Sequence, residues 1–372
     1  MIYFDNAATS RPKPNEVIEA FNYYITEIGT SPGRGSYGLA IQASRMLYQA
    51  RNTVAKFFSI SDPSNVVFTK NSTEAINLFL NGYLSVGDHV LISPYEHNAV
   101  LRPLETLKNK GVIDYTVLPI EVIDGNEDIG KYARPTTSLL ILTLASNLTG
   151  QIVFSPKLVE ASHSLGIPVF VDASQGAGKK LINMEKDGVD YLAFTGHKDL
   201  LALPGVGGLL SQKTLRIAPL IQGGTGIHGE SYVNPQAFPD AYEAGTLNMP
   251  AIWALKASIE YLEAHIDSIT SKENELMRYF FERLDPIKEV IIYNKQYERV
   301  PTFCFNIIDI PSSTVVEMLS KRQICVRGGI HCAIKAHETI GTVGTGAVRV
   351  SLNYTNTVKE IDEFINVIRE AI

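Results

Sequence analysis

Between residues 65 and 174 the chain alternates short, nearly unbroken apolar runs with longer amphipathic ones. "NVVFT" leads into the helix-like "STEAINLFLNGYL", "HVLIS" into "NAVLRPLETLKNKG", "IDYTVLPI" and "SLLILTLA" follow, then "SPKLVEASHSLG" and "IPVFVDAS". Strands this apolar along their whole length are buried on both faces, and the intervening periodic segments supply the covering helices. The pattern predicts an α/β fold built on a mostly parallel sheet. At 372 residues with 45% hydrophobic content, the chain has the length and composition for one large core and a smaller one.

From Pro250 the order changes. Two long helical stretches, "PAIWALKASIEYLEAHID" and "TSKENELMRYFFERLD", precede strand-like "TFCFNII", a helix near "STVVEMLSKR" and a closing helix "TVKEIDEFINVIREAI". Helices and strands without strict alternation predict a smaller α+β domain. The expected division is a large domain over residues 14–250 and a small one over 251–372, with residues 1–13 packing near the cleft.

Net charge is -6, with Lys and Arg scattered among Asp and Glu, so nothing in the sequence resembles a nucleic-acid footprint. Three cysteines, Cys304, Cys325 and Cys332, fit neither a disulfide framework nor a four-cysteine zinc site, and point to a reducing, cytoplasmic setting. "MIYFDNAATS" carries no export signal, and no segment approaches the eighteen or so apolar residues that span a bilayer. No metal site is expected. A set of Cys325, Cys332 and His337 matches no standard ligand spacing.

In open parallel sheets ligands sit beyond the carboxyl ends of the strands. Four predicted strands run out there into polar residues: "HVLISPYEH" into His97, "SLLILTLASN" into Asn147, "IPVFVDAS" into Asp172 with Gln175 close behind, and "DYLAFTGHK" into Thr195, His197 and Lys198. Singly, Asp172 also fits a turn or cap, His97 a structural role and Asn147 a turn. Together they mark one rim. "NSTEAIN" places Ser72 and Thr73 at a helix start, which suits a phosphate or ordinary capping by Asn71 with Glu74. "ASQGAGKK" is not a phosphate loop, since that pattern needs Gly at Ala173 and Ser or Thr at Lys180. "GTVGTGAVR" lacks the dinucleotide fingerprint.

With these residues in view the chain resembles the pyridoxal-phosphate-dependent cysteine desulfurases of the class V aminotransferase group, in the branch with selenocysteine-lyase-like enzymes. The resemblance runs through "YFDNAAT", "NSTEAIN", "EHNA", "SNLTG", "VDASQGAG", "TGHKDL", "EAGTLN", "RGGIHCA" and "VRVSLNYTNT" in the family's order. It implies a fold-type-I transferase in which Lys198 carries pyridoxal 5'-phosphate covalently and moves the proton at the substrate's α-carbon. Asp172 would pair with the pyridinium nitrogen, Gln175 with the phenolic oxygen, and His97 would stack on the ring. Ser72, Thr73, Thr195 and His197 would hold the phosphate, and Thr246 would reach it from a partner subunit, implying a homodimer. Arg349, with Asn147 beside it, would grip the amino-acid carboxylate. Cys332 would accept sulfur as a persulfide, aided by His331 and Arg327.

The implied reaction converts L-cysteine to L-alanine, with a possible sulfur-acceptor protein downstream and iron–sulfur cluster assembly as the setting. The chain departs from the branch at Ile330, where His-His-Cys-Ala is usual, and at Tyr37, where a histidine is common. Both bear on substrate preference. Selenocysteine lysis and cysteine sulfinate desulfination are alternatives on the same fold. A non-catalytic scaffold that binds a sulfur acceptor is the alternative from another class, and it would be expected to lack Lys198 or Asp172.

Overall fold

The computed structural model describes residues 1–33, 35–226 and 230–372. Its strands are β1 (Ile2–Tyr3), β2 (Val66–Thr69), β3 (Asp88–Ile92), β4 (Ile113–Val117), β5 (Thr137–Thr143), β6 (Val169–Asp172), β7 (Tyr191–Thr195), β8 (Gly207–Ser211), β9 (Val290–Ile292), β10 (Thr302–Ile307), β11 (Ile324–Cys325), β12 (Arg327–Gly329) and β13 (Ala347–Ser351). The central sheet has seven strands in the order β2-β8-β7-β6-β5-β3-β4. β8 pairs antiparallel with both neighbours, while β7, β6, β5, β3 and β4 run parallel. Every residue of β6 and β8 is buried, as strands covered on both faces require.

The C-terminal part carries a four-stranded antiparallel sheet in the order β12-β13-β10-β9, and β1 pairs in parallel with β11. Its own core gathers Phe4, Phe280, Phe303, Phe305 and Phe364 in edge-on ring contacts. The two helical stretches expected after Pro250 are one helix, Met249–Leu284, of 36 residues. No Gly or Pro lies between Ala251 and Leu284 to break it, so the polar segment around Ser268–Lys272 continues the helix. At a rise of about 1.5 Å per residue it is roughly 54 Å long. It packs on the helices Asn15–Tyr23 and Gly38–Phe57 and also touches the closing helix Val358–Ala371.

The two sheets meet where the chain leaves β5. Gly150 has φ +73°, and a Cβ there would lie 2.0 Å from the Thr302 carbonyl oxygen of β10. Only glycine allows that approach. Among the described residues no helix is long and apolar enough to cross a membrane.

Candidate active site

The register of the central sheet brings the predicted rim together. β3, β5, β6 and β7 are consecutive neighbours, so their carboxyl ends present His97, Asn147, Asp172 and Lys198 side by side. Asp172 closes β6, opposite Thr143 of β5 and Ala193 of β7, and is almost wholly buried. Its Oδ1 accepts the Ser174 N–H at 2.9 Å and the Ser174 hydroxyl. Burial raises its pKa, opposed by these bonds and by Lys198.

Lys198 lies three residues beyond the end of β7, and among the described residues its ammonium makes no side-chain hydrogen bond. Burial lowers its pKa; Asp172 and Asp199 oppose the shift, Arg349 and Arg327 reinforce it. An amine with a depressed pKa is a usable nucleophile and base at neutral pH. His97 is the cap of the helix Asn98–Asn109, its Nδ1 accepting the Ala99 N–H at 3.0 Å. The ring proton of the neutral imidazole therefore sits on Nε2. Burial, with Lys198 next in effect, brings His97 down to about 4, so the ring is neutral at working pH.

Asn71 caps the helix Ser72–Tyr83 by accepting the Glu74 N–H at 3.0 Å. Among the described residues no acceptor takes the Ser72 or Thr73 N–H, and Ser72 is buried while Thr73 is exposed. Two cavities flank this helix start. A cleft of about 390 Å³ is lined by Thr73, His97, Asn98, Arg102 and Cys332. A larger one of about 480 Å³ is lined by Asn71, His197 and Thr246. Of the phosphate-side candidates the larger space thus holds His197 and Thr246, whereas the smaller holds Thr73 together with His97 and Cys332. Burial and then Lys198 lower His197 to about 4.

The C-terminal sheet contributes Arg349, from the middle of β13, and it is almost wholly buried. Its guanidinium donates to the Asn147 carbonyl at 3.0 Å and to Asp5 Oδ1 at 2.7 Å. Asn147 Nδ2 in turn donates to the His331 carbonyl at 2.8 Å, so Asn147 joins the end of β5 to the turn that presents Cys332. That turn is unusual: His331 (φ +55°) and Cys332 (φ +56°) are consecutive left-handed residues, a conformation that side chains rarely adopt. The Cys332 carbonyl accepts the Asn98 N–H at 2.9 Å, fixing the cysteine at the helix capped by His97.

One expected role changes. Burial brings His331 down to about 3, so its imidazole is neutral and supplies no charge to a neighbouring thiolate. Arg327 lies exposed on β12. Cys304 lies fully buried in β10 with its thiol pushed up to about 12, an inert side chain. Among the described residues no group of three or more His, Cys, Asp or Glu is placed to hold a metal ion.

Sequence reasoning gave no role to four residues that the structure places at the rim. Asp5 holds Arg349. Lys13 donates to the His197 carbonyl and to Ser10 Oγ, both at 2.7 Å, and burial lowers it to about 8. Asp199 accepts Gln175 Nε2 at 3.1 Å and the Gly176 N–H at 2.7 Å. Glu96 lies fully buried beside His97. Asp5, Glu96 and Asp199 stand inside or beside the quoted motifs, but an acid in a motif does not reveal its partner.

A lysine just past a central parallel strand, beside a buried aspartate on the next strand and with a second small sheet closing over the rim, is the architecture of the type-I pyridoxal-phosphate-dependent transferases. The pattern that defines the class-V aminotransferases matches residues 2–364, and the chain belongs to that family. A probable cysteine desulfurase of Methanothermobacter thermautotrophicus is 33% identical, the match covering 97% of this chain and 92% of the relative. The apo structure of a cysteine desulfurase from Thermococcus onnurineus NA1 superposes with a TM-score of 0.91 at 30% identity, covering 100% of this chain and 94% of that one. The cysteine desulfurase CsdA of Escherichia coli, in its S-sulfonic acid form, gives 0.87 at 26% identity, covering 99% and 94%.

Proposed function

We propose that the protein is a pyridoxal-phosphate-dependent cysteine desulfurase that converts L-cysteine to L-alanine and keeps the sulfur as a persulfide on Cys332. The observation that carries this reading is the placement of Cys332 on the cleft that His97 and Thr73 line, one hydrogen bond from the helix capped by His97. A plain aminotransferase has no use for a thiol there.

The residues present fit the cofactor. Gln175 Oε1, Thr195 Oγ1, Asn147 Oδ1 and Arg349 Nε are all buried without a hydrogen-bond partner among the described residues. Orphaned polar atoms gathered at one site call for a polar ligand. Lys198 would hold pyridoxal phosphate covalently, Asp172 its ring nitrogen and Gln175 its phenolic oxygen, with His97 on the ring face. Ser72, Thr73, Thr195 and His197 would hold the phosphate. Thr246, exposed on the larger cavity, would serve the partner site of a homodimer. When bound, this cofactor withdraws electrons from the substrate carbons and makes the Cβ–S bond breakable.

The chain's own groups do the rest. Arg349 holds the carboxylate with Asn147 beside it, and Lys198 moves the proton at Cα. The Cys332 thiolate attacks the substrate sulfur: an S–S bond forms, the Cβ–S bond breaks, and Cβ takes up a proton to become the alanine methyl. One thiol and L-cysteine thus give one persulfide and L-alanine, with no outside oxidant. The sulfur then passes to an acceptor protein in the cytoplasm, in the service of iron–sulfur cluster assembly. The proposed division remains a large domain over residues 14–250 and a small one over 251–372, with residues 1–13 at the cleft, where Ser10 N–H donates to the His197 carbonyl at 3.0 Å.

Cys332→Ala tests this. The variant is expected to bind pyridoxal phosphate and to change its visible spectrum with L-cysteine, yet to release little alanine or sulfide in the presence of a thiol reductant. Selenide release from selenocysteine, whose selenium leaves more readily, is expected to persist. Full activity of Cys332→Ala on cysteine would overturn the persulfide.

A further inference from the structure

Glu96 sits in the turn between β3 and the helix Asn98–Asn109, directly before His97, and is fully buried. Its Oε1 accepts the Ser93 hydroxyl at 2.5 Å and the Thr143 backbone N–H at 2.7 Å. Thr143 closes β5 and lies opposite Asp172 in the register with β6. One carboxyl oxygen therefore ties the turn that presents His97 to the strand pair that presents Asp172. Its other oxygen, Oε2, is buried with no partner among the described residues.

An unpaired oxygen in such surroundings costs a neutral acid a few kcal/mol and an anion far more. The charged group that acts on Glu96 from the sheet is Asp172, at the end of β6 on the far side of β5, and it opposes a second negative charge. Lys198, three residues beyond β7, opposes the upward push of burial on Asp172 and adds to burial in lowering His97. Burial, the largest influence, pushes Glu96 up to about 8.

We propose that Glu96 is a positioning residue for His97 and works as a neutral carboxylic acid, clamping the β3 turn to the end of β5. The role of His97 rests on the desulfurase reading; the protonated clamp does not. Glutamine has the shape and neutrality of the protonated acid and keeps the accepting oxygen, so Glu96→Gln and Glu96→Ala separate the two halves of the proposal.

In the cofactor-free protein a carboxyl whose folded pKa lies above its unfolded value contributes stability fully present below about 4.5 and lost as pH rises toward 8. The thermal midpoint of Glu96→Gln is therefore expected to fall less than that of the unmodified protein between pH 5 and pH 8. Titration with pyridoxal phosphate, followed by visible absorbance at pH 7, is expected to give a Kd within about twofold of the unmodified protein for Glu96→Gln and about tenfold weaker for Glu96→Ala. The alkaline limb of the alanine-release profile is expected to move out of the region of pH 8 in Glu96→Gln. Glu96→Gln failing as badly as Glu96→Ala at pH 7, or matching the parent's fall in midpoint, would overturn the neutral acid. Wild-type binding by Glu96→Ala would overturn the clamp. If the unmodified protein takes up no pyridoxal phosphate, the desulfurase reading falls, while the midpoint comparison still decides the protonation state of Glu96.

Discussion

At the end of the central sheet Lys198 is half-buried near Asp172 and Asp199, and among the described residues its ammonium has no hydrogen bond, whereas on the C-terminal sheet Arg349 is buried with its guanidinium held by Asp5 and the Asn147 carbonyl. Burial lowers both pKa values, yet the outcomes differ. A lysine can lose its proton within reach of neutral pH, while an arginine stays charged and keeps its planar fork. The parallel rim therefore offers an amine able to react, and the antiparallel sheet offers a fixed cation able to orient an acid. Gly150 and Asn147 bring the two within one site.

The comparison breaks most visibly at Lys198. Lys198→Ala is expected to lose at least about 10³-fold in alanine release, equivalent to about 4 kcal/mol of transition-state stabilisation. Activity within tenfold of the parent would remove the lysine from the chemistry. Arg349→Lys keeps the charge and loses the fork. It is expected to lower kcat/KM for L-cysteine by about 10- to 100-fold while leaving the Kd for pyridoxal phosphate unchanged. An equal loss of cofactor affinity would assign Arg349 to the cofactor instead of the substrate.

The smallest effect sharpens the electrostatics. His97 and His197 on the central side and His331 on the other are all lowered by burial, to about 4, 4 and 3. Their folded values lie below the ordinary 6.5, so the unfolded chain binds more protons in between. The stability they contribute is complete above about pH 6.5 and is lost as pH falls toward 4. His331→Asn is expected to show a shallower drop in thermal midpoint from pH 7 to pH 4.5 than the parent. An equal or steeper drop would mean that His331 is not held neutral in the fold.

The two regions also differ in how much the sequence discloses. The apolar runs ending in His97, Asn147, Asp172 and Thr195 locate the rim because strand register alone brings neighbouring ends together. The C-terminal region has no such period. Its helix Met249–Leu284 reads as two because Ser, Thr and Asp weaken the pattern without ending it. The left-handed pair His331–Cys332 is invisible in composition, since nothing in the residue types requires it. The neutrality of His331 and the burial of Glu96 depend on what packs around them. Asp5 meets Arg349 across 344 positions of sequence, a separation that no local pattern can bridge.

The central claim is that Lys198 is the amine that holds the cofactor, and Lys13 is its natural competitor, because it too has a lowered pKa, about 8, and bonds to the carbonyl of His197. The decisive measurement is to load the protein with pyridoxal phosphate, reduce it with borohydride, digest it and locate the modified lysine by mass spectrometry. Modification of Lys198 with Lys13 left unmodified is the predicted result; a label on Lys13, or on neither lysine, would contradict it.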